Sequence, residues 1–116
     1  MPTIKINKQL NRPDGGKITS GSIATANPEF KENNLTVIFP TQFHISETAK
    51  EDGKNPIPAI KEFELQKIQT YCKLVKQCTE EEWVELNLDA GAGILTRTWM
   101  QELIDEVIGA GFTEVV

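Results

Sequence analysis

Residues 95–108 carry the pattern that most limits this fold. Leu95, Trp99, Met100, Leu103, Ile104, Val107 and Ile108 fall on one helical face, with Gln101, Glu102, Asp105 and Glu106 on the other. A stripe this broad holds its helix only against another apolar layer. The first half of the chain offers that layer, because its apolar positions recur every second residue. Thr3-Ile4-Lys5-Ile6-Asn7 alternates as a half-buried strand does, and Leu35-Thr36-Val37-Ile38-Phe39 has the highest β-propensity in the chain. Strands followed by helices read as α+β. A length of 116 residues fits a single domain over 1–116, able to bury roughly two-thirds of its unfolded surface without a metal or disulfide staple. The fold expected is an antiparallel sheet of four to five strands with two C-terminal helices packed on one face. Leu103 sits mid-stripe, so Leu103→Ala is expected to cost several kcal/mol.

Turn chemistry divides the rest. Asn11-Arg12-Pro13-Asp14-Gly15-Gly16 packs turn formers together, and Lys17 to Ala26 reads as a strand bent or bulged at Gly21. Pro40 interrupts the strongest strand, so Thr41–Ile45 is expected at an edge or after a kink. Residues 46–58, with a charged run, Gly53, Pro56 and Pro58, read as a long exposed loop of the kind that meets partners. Between 61 and 75 two patterns compete. Phe63 and Leu65 alternate as in a strand, whereas Leu65, Ile68, Cys72 and Val75 sit at helical spacing. A strand is favoured, because Thr79-Glu80-Glu81-Glu82 is a capping box that starts a fresh helix. That helix, residues 80–87, should turn Trp83, Leu86 and Val84 inward. Thr98 with Gln101, or Thr96, is expected to cap the next one, Gly109 and Gly111 to end it, and Phe112 to Val116 to return as a short strand or dock.

Charge is divided unevenly. Residues 1–76 carry 11 basic and 8 acidic side chains, net +3; residues 77–116 carry one basic and nine acidic, net −8, giving the −5 of the whole. An acidic third repels nucleic acid and anionic lipid, and complements a basic partner or the basic part of a second copy. No apolar run approaches the roughly 20 residues of a membrane span, and the N-terminus lacks the basic and apolar regions of a secretory signal. Cys72 and Cys78 are expected reduced and intracellular.

The residues that carry chemistry are sparse. His44 is the single histidine, so zinc would have three candidate ligands in all where four are needed. Its neighbours Phe43 and Ile45 place it toward solvent on a strand. No GxSxG elbow accompanies Ser22, and a Ser–His or Cys–His pair would have to draw on His44. Gly91-Ala92-Gly93 precedes a helix without a P-loop lysine. Glu80, Glu81, Glu82 and Glu85 are explained by the helix dipole and cap, and Asp52 with Asn55 offers too few oxygens for calcium. Lys5, Lys8, Arg12 and Lys17 cluster near the N-terminus, and Lys61, Lys67, Lys73 and Lys76 could form one basic sheet edge. With two arginines and no interleaved aromatics, nucleic-acid binding is not expected. No catalytic, cofactor-binding or metal residue is assigned, and no enzymatic activity is expected.

The run from Arg12 to Ile23, then Val37-Ile38-Phe39, a polar Gly/Pro loop and capped acidic helices, resembles in layout small virion proteins of phages or prophages of the Bacteroidetes kind, those of the tail or head–tail joining region. The resemblance implies a non-enzymatic subunit made in the bacterial cytoplasm and built into a particle. Its partners would be copies of itself or other virion subunits, without membrane or cofactor. Sheet edges and loops would make the contacts, and the charge split suits head-to-tail packing. A reading from a different class is a monomeric adaptor that binds a host protein through residues 46–58.

Overall fold

The computed structural model describes residues 2–58, 60–68, 71–89 and 93–116, and in it the period-two segments pair into one antiparallel sheet. In chain order the elements are β1 (Thr3–Ile6), β2 (Leu10–Asn11), β3 (Lys17–Ile18), β4 (Ser22–Ala26), β5 (Glu29–Lys31), β6 (Thr36–His44), α1 (Glu47–Glu51), β7 (Lys67–Ile68), β8 (Tyr71–Gln77), α2 (Glu80–Leu88), α3 (Ile94–Ile108) and β9 (Thr113–Val115). The sheet runs β7-β8-β6-β4-β1-β9, with β5 pairing the same edge of β6 as β4 does; β2 and β3 form a separate hairpin. The architecture is α+β, an antiparallel sheet with helices packed against it. Among the described residues seven strands make the sheet, more than the four to five expected, because two- and three-residue pieces such as β5, β7 and β9 extend it.

Register decides which side chains share a face. Ile4 pairs with Ala24, Ala24 with Phe43, Thr41 with Cys72 and Phe39 with Leu74, so these residues all point one way. There they meet Trp99, Met100, Ile104 and Ile108 of α3, and together they form the core. Leu103, Leu95 and Val107 lie at its margin, only partly buried. Phe63 joins it from a 3₁₀ segment, Lys61–Gln66, with its ring 4.7 Å from that of Phe43. The hairpin closes the end of the core with Leu10 and Ile18, on a turn in which Gly15 holds φ +89° and the Arg12 amide donates to the Gly16 carbonyl.

Pro40 does not displace its strand to an edge. β6 is a single nine-residue strand with β8 on one side and β4 and β5 on the other. Pairing with β4 ends at Thr41 and pairing with β5 begins at Ile38, so Pro40 falls opposite the break at Asn27-Pro28. A missing N–H costs little where there is no ladder to join.

Three other expectations change. The 61–75 strand is confined to Lys67–Ile68 and Tyr71–Gln77, since Lys61–Gln66 turns to deliver Phe63 to the core; residues 69 and 70 lie outside the described ones. Residues 17–26 are two strands, divided at Gly21 (φ +99°), whose amide donates to the Ile6 carbonyl. Neither Thr98 nor Thr96 caps α3. Their hydroxyls donate back to the carbonyls of Ile94 and Gly93, while Gly93 takes the N-cap position and Asp89 accepts from the Leu95 amide at 3.3 Å. On its polar face Gln101 and Asp105 secure β9 through Thr113, whose hydroxyl lies 2.7 Å from Asp105 Oδ1.

Candidate functional site

The nucleophile candidates come first, because strand parity decides them. Ser22 pairs with Ile6 and faces the core, whereas His44 pairs with Ile23 on the opposite face. The sheet therefore separates the two side chains that a Ser–His pair would join. His44 is buried, not solvent-facing, because α1 packs over that end of β4 and β6. Burial and the nearby Lys50 ammonium lower its pKa from 6.5, and its Nδ1 has no hydrogen-bond partner. Cys72 is pushed up to about 12 by desolvation, so it remains a thiol packed in the core. Cys78 is raised by burial and then by Glu82, and both cysteines are free. Among the described residues no three His, Cys, Asp or Glu side chains converge as a metal site requires, and no described helix is long and apolar enough to cross a membrane. Of Gly91-Ala92-Gly93 only Gly93 lies among the described residues, at φ +69°.

Lys8, Arg12 and Lys76 are held by local partners. Lys8 donates to the Ile108 carbonyl at 2.6 Å and lies over the Phe112 ring, closing the C-terminus of α3. Arg12 pairs with Asp14 at 3.2 Å. Lys73 and Lys76 point to opposite faces of β8, as register partners of Pro40 and Val37. No single basic edge results. Lys76 instead lies over Trp99 and 2.9 Å from Glu82, whose hydrogen bond raises the Lys76 pKa. Glu82 also accepts from the Thr79 amide at 2.9 Å, while the Glu82 amide donates to Thr79 Oγ1 at 3.1 Å. The capping box is formed as expected, and it lowers the Glu82 pKa, with Lys76 adding to the effect.

Residues 46–58 are tied down more than their composition implies. Ser46 caps α1 by accepting from the Ala49 amide, and Ile57 is buried with its amide donating to the Phe43 carbonyl. The longest exposed stretch is a five-residue tip, 51–55, with Glu47, Thr48 and Pro58 exposed beside it.

Helix α2 is the outlier. Every one of its side chains stays at least partly exposed; Trp83 and Leu86 lean on the core, and Val84 and Leu88 turn away from it, 56% and 81% exposed. Four residues apart, they make an outward apolar ridge flanked by Glu80, Glu81 and Glu85. Between α2 and β5 runs a groove of 570 Å³ lined by Phe30, Trp83, Leu86 and Thr96, with Glu32 and Asp89 among its polar residues. β5 itself is exposed at all three positions.

Away from α1 the opposite sheet face carries no packed helix among the described residues, though Thr25 and Thr36 are buried on it. Ile38 and Val75 pair there, Val75 51% exposed, beside Pro40 and Lys73, which also pair. A hollow of 370 Å³ opens next to them, lined in part by Pro28, Pro40 and Tyr71. Of these surface residues Val84 was expected inward, and Leu88 and Phe30 carried no expectation. The Val84/Leu88 spacing and the charged neighbours of Phe30 are the signals that mark them. No family model matches the chain, and neither does any curated protein or solved structure.

Proposed function

We propose that this chain is a non-enzymatic assembly subunit, working through protein–protein contacts in the tail or head–tail region of a phage or prophage particle. The observation that carries the reading is α2, a well-capped helix that holds Val84 and Leu88 in water, with an open groove of mixed lining on its other side. Apolar side chains grouped on one exposed element mark interaction surfaces more often than chance exposure does. Acids around them disfavour non-specific collapse and select a partner of opposite charge. The phage context comes from the layout resemblance. The buried thiols and the separation of Ser22 from His44 agree with a role that needs no nucleophile.

The test is light scattering after size exclusion at low and high salt, for the chain alone and for the chain co-expressed with products of adjacent genes. Salt-sensitive oligomers, or a stoichiometric complex with a capsid, portal or tail subunit, are expected. A chain that stays at its 13.0 kDa mass alone and ignores every such subunit would overturn the assembly reading.

A further inference from the structure

We infer that copies of this chain join head to tail, the outward ridge of α2 on one copy seating on the bare sheet face of the next. This deepens the assembly reading and rests on it. The two surfaces match in apolar content. Val84 and Leu88 stand four residues apart, about 6 Å along a helix, and half-buried Ile38 pairs with exposed Val75 beside the Pro28–Pro40–Tyr71 hollow, which can receive a leucine. They also match in charge. α2 has four glutamates and no basic residue; Glu82 is engaged by Lys76, which leaves Glu80, Glu81 and Glu85 along the ridge. On the bare face Lys73 sits beside the apolar pair and Lys31 lies on the same side of β5, with Glu29 the neighbouring acid. Because α2 leans toward the α3 side of the sheet and the bare face is the other side, one copy cannot satisfy both surfaces by itself. The contact is therefore heterologous, and its repetition gives a ring or a filament. An α2–α2 pairing would set like charges against one another.

A mixing experiment tests the geometry directly. One variant, Val84→Ser with Leu88→Ser, loses the ridge and keeps the sheet face. The other, Lys73→Glu with Val75→Thr, loses the face and keeps the ridge. All four positions are exposed, so unfolding midpoints close to the parent verify that both variants fold. A single helix on a sheet face lies at the small, weak end of interfaces, so concentrations on the order of 100 μM suit the measurement. The parent should associate and each variant alone should be monomeric, with association weakened tenfold or more. The two mixed should give a one-to-one complex of twice the 13.0 kDa chain mass that dissociates as salt rises. If the face variant still self-associates, the contact is isologous and the inference fails. A parent that stays monomeric also overturns it, while the assembly reading then stands or falls separately on the co-expressed subunits.

Discussion

At the scale of single residues, alternation along a strand has the largest consequences. A neighbour on β6 separates Phe43 in the core from His44 under α1, and that step turns an expected surface histidine into a buried one. The sequence contains the alternation but not the cover, because α1 is five residues long with no apolar repeat to announce it. The buried imidazole links stability to pH. Its folded pKa lies below 6.5, so as pH falls the unfolded chain takes up the proton first. The stability that neutral His44 contributes is complete above about pH 6.5 and is lost as pH drops through the lowered folded value, with a slope limited to about 1.4 kcal/mol per pH unit for one proton. Glu82, with its pKa lowered from 4.5, acts in a separate and more acidic window, where protonation removes its capping and Lys76 bonds. Urea midpoints of the parent should fall between neutral pH and about pH 5, and His44→Gln should be nearly flat over that range. Parallel curves for the two proteins would assign the slope to other groups.

At the scale of elements, the legible parts are those whose signals are local. The α3 stripe and the Thr79–Glu82 capping box need only neighbours within a turn or two, and both form as the residues indicate. Pro40 was illegible because its tolerance depends on a break between β4 and β5, a property of other strands. The depth of burial along α3 was legible only in part. Leu103 lies on the stripe yet at its margin, whereas Met100 and Ile104 have no exposed surface. Ile104→Ala should therefore cost about 3 kcal/mol, in the range for a fully buried aliphatic side chain, and Leu103→Ala about 1 kcal/mol. Chemical denaturation of both variants orders them. Equal losses, or a larger loss at Leu103, would place the centre of the core elsewhere on the helix.

At the scale of the whole molecule, stability is divided between a strongly knit sheet and a loosely held helix. The chain ends meet in the sheet, where β9 pairs with β1, and the core runs from there through β6 to β8 under α3. The acidic third, which the sequence shows only as a block of charge, resolves into two unlike elements: α3 with its buried stripe, and α2 held by its cap, the Lys76–Glu82 bond and the edges of Trp83 and Leu86. Neither the projection of α2 nor the bareness of the Ile38–Val75 face follows from periodicity, because both depend on what is not packed against them. An element with little buried apolar contact opens locally at a smaller free energy than the core does. Amide hydrogen exchange on the dilute chain should thus show the last turn of α2 exchanging at least about a hundredfold faster than Val37, Phe39 and Phe43 in β6, a gap of roughly 2.7 kcal/mol or more in opening free energy. Raising the concentration until copies associate should slow α2 and the outer amides of β8 together and leave β6 unchanged. Protection of α2 equal to that of β6 in the dilute chain would mean that the helix unfolds only with the core, and that its exposed ridge belongs to one cooperative unit.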